Sequence, residues 1–85
     1  MEYLSYVANK QTELQVIFGE TLREFRQKAG LSQEKLAMEC NLDRTYISML
    51  ERGLRQPSLT SLFDIAESLS IKPSKLIAKV ESKYY

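Results

Sequence analysis

The chain has 85 residues, of which 44% are hydrophobic, and 12 Lys and Arg stand against 11 Asp and Glu. This length fits one small domain and excludes a second packed core. A single Cys and the absence of His exclude a disulfide framework, a His-based metal site and a His-dependent catalytic triad. The net charge of +1 says little about partners, because a small local patch can carry nucleic-acid binding.

The sequence gives no sign of membrane insertion or export. It has no run of apolar residues long enough to span a bilayer. Its first residues lack the basic start and long apolar stretch of a signal peptide. Because a lone Cys without an export signal fits a reducing compartment, we expect a cytoplasmic protein.

Apolar residues at intervals of three and four predict a first helix. They are Leu14, Ile17, Phe18, Leu22 and Phe25. The helix should end at Gly30, where glycine can adopt the left-handed conformation, and Gly19 inside it should cost the helix a little. Residues 1–12 are either an arm or an extension of this helix. We expect one domain over residues 1–85 with a core at about 14–82.

Two short helices should follow, each with a side chain that can cap its start. Ser32 is a good N-cap for a second helix that runs to about residues 39–40. Asn41 tolerates the positive φ of a tight turn, and Asp43 can cap a third helix over about 44–52.

The rest of the chain predicts two more helices. Ser58 can cap a fourth helix, and Pro73 suits the first turn of a fifth, where its missing N–H is harmless. No segment alternates apolar and polar residues as a strand would. The sequence therefore predicts an all-α fold, a compact five-helix bundle.

The second and third helices have the pattern of a helix-turn-helix. Small Ala37 allows the two helices to cross closely, and Leu42 follows the turn. Ile47 and Leu50 anchor the third helix, so its opposite face is free. Such an exposed helix fits the major groove of B-DNA.

The free face of the third helix carries side chains that can read DNA. Arg prefers guanine O6 and N7, and Ser and Thr can bond bases or touch a thymine methyl group. The predicted base contacts are Arg44, Thr45, Ser48 and Met49. The predicted phosphate contacts are Gln33 at the start of the second helix, Lys35, Tyr46, Arg52 and Arg55. For Arg44, Thr45, Ser48 and Arg55 the alternative is an ordinary solvated surface side chain, and for Tyr46 it is packing on the flank of the domain.

Four segments resemble the phage-repressor/Cro family of bacterial regulators. They are LSQEKLA (31–37), NLDRTYIS (41–48), LERG (50–53) and PSL (57–59). The resemblance covers about residues 18–78, and within it residues 42–48 are most similar to the controller proteins of restriction–modification systems. The chain departs from the family in its long N-terminal extension and at Asn41, where the family often has Gly.

The resemblance implies a lambda-repressor-like domain that reads DNA with its third helix. It also implies a homodimer, formed through the C-terminal helices, that binds a palindromic operator and sets the timing of endonuclease expression. The family often pairs an Arg in helix one with a Glu late in helix three, and the match places this structural ion pair on Arg26 and Glu51. The predicted dimer interface comprises Phe63, Leu59, Ile77 and Val80.

Our hypothesis is a DNA-binding transcription regulator that controls a restriction–modification system. A phage-type repressor, an antitoxin that represses its own operon and a protein-interaction module remain alternatives. Acidic Glu34 and Glu39 on the second helix usually serve helix capping and solubility. In related activators such a face can touch RNA polymerase, and this resemblance makes RNA polymerase a candidate partner. An enzyme is not expected, since the chain lacks a phosphate-cradling Gly loop and a paired-carboxylate cleft. We also expect no cofactor, no metal and no small-molecule effector.

Overall fold

The computed structural model describes the backbone of residues 2–85 and the side chains of residues 13–85. Its elements are α1 (Glu2–Lys28), α2 (Gln33–Glu39), α3 (Arg44–Glu51), α4 (Leu59–Ser68) and α5 (Pro73–Tyr84). These helices confirm the all-α prediction. Of the two alternatives for residues 1–12, an arm or an extension of the first helix, the backbone of residues 2–12 follows the second and is part of α1, and the side chains of residues 1–12 lie outside the described residues. Within the described part of the chain, no helix is long and apolar enough to cross a membrane.

Side-chain caps begin the three central helices. Ser32 and Ser58 each accept a backbone N–H from three residues ahead at 3.0 Å, and Asp43 accepts the N–H of Thr45 at 3.4 Å. Pro73 occupies the start of α5. All three predicted caps are confirmed, so local chemistry defines where these helices start.

The turn between α2 and α3 depends on one residue in the left-handed region. Asn41 has φ 55°, as predicted, and the N–H of Leu42 then bonds the carbonyl of Ala37 at 2.9 Å. Asn reaches this conformation more readily than most residues that carry a side chain. The turn thereby fixes the direction in which α3 leaves α2.

The core lies between α1 and the four shorter helices. α1 packs against both α3 and α5, α2 packs on α3 and α4, and α4 packs on α5. The buried cluster comprises Phe18, Leu22, Leu36, Ala37, Cys40, Ile47, Leu50, Leu62, Ile65, Leu69, Leu76 and Val80. α3 is therefore held from behind by α1 and α2.

Val80, which we placed in the dimer interface, is buried within the protomer. Its side chain is 5% exposed and packs in the core. Leu76 and Val80 lie four residues apart on the buried face of α5, whereas Ile77 is turned outward and is 44% exposed. The spacing of apolar residues in the sequence did not distinguish the buried face of α5 from its exposed face.

Gly19 is required by tertiary packing, not merely tolerated by the helix. A Cβ at this position would lie 2.6 Å from the carbonyl oxygen of Glu51 and still closer to that of Leu50. α1 thus passes directly against the C-terminal carbonyls of α3, and only a residue without a side chain permits this approach. The sequence suggested a cost at Gly19 but not this reason for it.

We expect Gly19→Ala to destabilise the fold, although Ala is the better helix former. The added methyl group meets backbone atoms that cannot rotate away, so the free energy of unfolding should fall by about 1–3 kcal/mol. Urea unfolding of Gly19→Ala and of Glu20→Ala, an exposed neighbour on the same helix, would measure this. Unchanged or greater stability of Gly19→Ala would contradict the close approach.

Candidate nucleic-acid interface

α3 has one face in the core and one face in solvent. Ile47 and Leu50 are buried, whereas Arg44 and Thr45 are exposed. Four other predicted contacts lie on this helix or at its end: Arg52 is exposed, and Tyr46, Ser48 and Met49 are half-buried. The predicted base contacts thus share one accessible helical surface, which we call the reading face.

One border of the reading face is organised by Glu51. This residue follows Arg44 by seven positions and therefore lies almost in line with it along α3. Its side chain is fully buried, and its carboxylate accepts hydrogen bonds from the Arg26 guanidinium at 2.5 and 3.0 Å. The predicted structural ion pair is present and joins α1 to the end of α3.

Two further donors reach the same carboxylate. Gln33 Nε2 donates to Glu51 Oε1 at 2.9 Å, and Arg23 Nε donates to the same oxygen at 3.4 Å. Arg26 also donates to the carbonyl oxygen of Leu31 at 2.8 Å. One buried carboxylate therefore gathers side chains from α1 and α2 beside the reading face.

The electrostatics of this cluster favour the charged form of Glu51. Burial alone would raise the pKa of Glu51, but hydrogen bonds from Arg26 and Gln33 and the positive charge of Arg26 outweigh burial and lower it. The same hydrogen bond raises the pKa of Arg26. The pair is therefore ionised at neutral pH and holds its geometry through charge-assisted bonds.

The structure places Gln33 differently from the simplest sequence interpretation. We predicted that Gln33 contacts a phosphate. In the structure, its side-chain amide donates a hydrogen bond to Glu51. An amide nitrogen has a second N–H, however, so Gln33 can hold this bond and still donate outward. Arg26, Ser32, Gln33, Glu34 and Arg44 line one shallow depression at this border.

The opposite border is formed by Tyr46 and the loop after α3. The Tyr46 hydroxyl accepts the backbone N–H of Ser58 at 3.4 Å, and the Arg55 guanidinium lies 5.6 Å from the Tyr46 ring centre. This cation–π contact orients Arg55 beside α3. Lys35 is exposed on α2.

A separate apolar surface lies on α4 and α5. On α4, Leu59 is 72% exposed and Phe63 is 54% exposed, and on α5 Ile77 is 44% exposed. A neighbouring groove of about 170 Å³ runs between α1, α4 and α5, and Leu14, Pro57 and Ile77 line part of it. We call this region the α4–α5 surface. Three of the four residues predicted for the dimer interface lie on it.

The remaining thiol does not add a reactive site. Cys40 is buried, and burial raises the pKa of its thiol. Its Sγ donates to the carbonyl oxygen of Leu36 at 3.0 Å, as a small side chain in a helix often does. Cys40 is therefore a core residue.

Comparison with known proteins identifies the family. A helix-turn-helix family model matches residues 22–76. Control protein C.BamHI of Bacillus amyloliquefaciens is 45% identical over 65 residues, which are 75% of this chain and 80% of that protein. The chain belongs to the helix-turn-helix control proteins. These are regulators rather than enzymes.

Solved structures agree with this assignment. The restriction–modification controller protein C.AhdI from Aeromonas hydrophila is 47% identical, with a TM-score of 0.71 over 73% of this chain and 94% of that one. The controller protein C.Esp1396I, solved as a tetramer with its natural 35 base-pair operator, is 31% identical, with a TM-score of 0.76 over 84% of this chain and 93% of that one. The resemblance noted in the sequence is confirmed.

We expect the buried ion pair to make stability depend on pH. Because the pKa of Glu51 is lower in the folded state, the unfolded state binds more protons as pH falls through and below its ordinary value of 4.5. The free energy of unfolding should therefore decrease in that range. Glu51→Gln should lower stability at neutral pH and should flatten this decrease.

Urea unfolding between about pH 3 and pH 7 would measure the effect. Glu24→Gln is the matched control, since Lys83 lowers the pKa of Glu24 in an exposed pair that salt screens. That variant should keep most of the wild-type pH dependence. An equally steep decrease in Glu51→Gln would contradict the assignment.

Proposed function

We propose that this protein is a sequence-specific DNA-binding transcription regulator that binds a palindromic operator as a homodimer and controls a restriction–modification system. The observation that carries the proposal is the exposed reading face of α3, with Arg44 and Thr45 in solvent and hydrogen-bond donors at both borders. Such a regulator acts where its DNA is, in the bacterial cytoplasm.

The two borders match the surroundings of a helix in the major groove. The groove is about 12 Å wide and admits one helix, so the two phosphate backbones flank that helix. Gln33 stands at one border, and Tyr46 and Arg55 stand at the other. The borders can set the register through phosphates while the reading face selects bases.

The α4–α5 surface supports the homodimer. Leu59, Phe63 and Ile77 expose large side chains on adjacent helices. Burial of one such side chain contributes about 1.5–3 kcal/mol, and a two-fold interface uses the surface twice. A dimer built there can hold two copies of α3 about 34 Å apart, as half-sites one helical turn apart require.

A selection from random duplex DNA at two salt concentrations tests the proposal directly. We expect an enriched palindromic site and affinity that falls steeply with salt. That site should also occur upstream of the regulator's own gene and of neighbouring methyltransferase or endonuclease genes. A neighbouring toxin gene would instead favour the alternative function, an antitoxin that represses its own operon. Weak binding with no enriched sequence would contradict the proposal and would favour a protein-interaction module.

We expect Arg44→Ala to lose discrimination at one base pair in each half-site. A bidentate Arg–guanine contact contributes about 1–3 kcal/mol of discrimination, or roughly 5- to 150-fold in affinity. Competition binding with operators substituted at each position would locate that base pair. If Arg44→Ala bound the operator as tightly and as selectively as the wild type, Arg44 would not be a base contact.

Arg55→Ala provides the comparison for that experiment. Its guanidinium lies at the border of the reading face, so we expect weaker binding to all sequences and a shallower dependence on salt. An effect confined to one operator variant would instead make Arg55 a base contact.

We expect Phe63→Glu to produce folded monomers. Phe63 is exposed in one protomer, so the change spares the core but places a charge on the α4–α5 surface. The dimer dissociation constant should rise tenfold or more, as measured by sedimentation. Met38→Glu is the matched control, because Met38 is an exposed apolar residue on α2 outside this surface. A Phe63→Glu protein that remains dimeric would place the interface elsewhere.

A further inference from the structure

We propose that Arg23 is a DNA phosphate contact and that Glu51 positions it. Arg23 was not singled out in the sequence and is not needed for the reading face itself. The inference deepens the proposed function, on which it rests, by adding a contact on the α1 side of the DNA-binding surface. Its ligand is a phosphodiester group of the strand that flanks α3 at this border.

The first argument is the charge balance of the cluster. Glu51 already has a bidentate partner in Arg26 and a neutral donor in Gln33. A buried carboxylate with one guanidinium partner is electrically compensated. Arg23 therefore adds an excess positive charge to the cluster, and its side chain is 49% exposed. An exposed excess cation is what a phosphate contact requires.

The second argument is position. Arg23 Nε and Gln33 Nε2 bind the same oxygen of Glu51, so they lie within two hydrogen-bond lengths of each other. Gln33 in turn shares a surface depression with Arg44. Arg23 thus stands on the border of the reading face that otherwise has only one predicted phosphate contact.

The third argument is orientation. Only Nε of the Arg23 guanidinium is used by Glu51, at 3.4 Å, and a guanidinium carries two further NH₂ groups. The contact to Glu51 limits the rotamers of a long side chain that would otherwise be free in solution. A side chain ordered in advance loses less entropy when it binds a phosphate.

The test is the salt dependence of binding to the selected operator and to an unrelated duplex. We expect Arg23→Gln to bind both DNAs more weakly and to lower the magnitude of the log–log salt slope by about 0.9 for each protomer. Arg23→Lys should keep the wild-type slope, because it keeps the charge. Lys75→Ala is the matched control: α5 packs on α1 and is separated by it from α3, so the slope should not change.

The contribution of Glu51 is tested by a double-mutant cycle. If Glu51 positions Arg23, the loss of affinity caused by Arg23→Gln should be smaller in the Glu51→Gln background than in the wild type. Equal losses in the two backgrounds would overturn the positioning role. Thermal unfolding of each variant, with binding measured well below its midpoint, keeps loss of folding separate from loss of contact.

The outcomes separate this proposal from the one on which it rests. A wild-type protein with no salt-dependent operator binding would refute the proposed function. A wild-type protein that binds its operator while Arg23→Gln keeps the full slope would refute the phosphate contact alone. An equal loss of slope in Arg23→Gln and Lys75→Ala would show a general charge effect and would also refute it.

Discussion

The buried carboxylate of Glu51 is the constraint on which the interface depends. It lies at the end of α3, and its partners come from α1 and from the first residue of α2. The three helices are thereby tied together at the point where α3 must be held at a fixed angle. The apolar core fixes α3 from behind, whereas this cluster fixes it from the side. Gly19 completes the arrangement, because its missing side chain lets α1 approach the same end of α3.

Such a cluster contributes more to geometry than to net stability. Removing a carboxylate from water is expensive, and the bonds from Arg26 and Gln33 largely repay that cost without a large surplus. An apolar replacement could stabilise the fold about as well. It could not orient two hydrogen-bond donors beside the reading face. The buried ion pair therefore supplies directional bonds, which an apolar contact lacks.

Local chemistry explains why much of the fold could be predicted from the sequence. Caps such as Ser32 and Asp43, and the turn at Asn41, depend on residues within a few positions of each other, so their side chains alone indicate them. Val80, Gly19 and Arg23 depend instead on which helices meet. Helical spacing placed Val80 on an apolar stripe but could not say which part of the stripe faces the core. The spacing of Arg23 and Arg26, three residues apart on one helix face, was the available signal for the larger cluster.

The interface also shows how a chain with a net charge of only +1 can be suited to a polyanion. Glu51 removes one positive charge from the border but gives Arg23, Arg26 and Gln33 defined positions. Few cations then attract DNA non-specifically, so more of the binding energy must come from contacts made in register. One protomer offers few such contacts, and the proposed dimer on a palindrome offers twice as many. Because the affinity of the proposed dimer depends on dimer formation, operator occupancy should rise steeply with protein concentration.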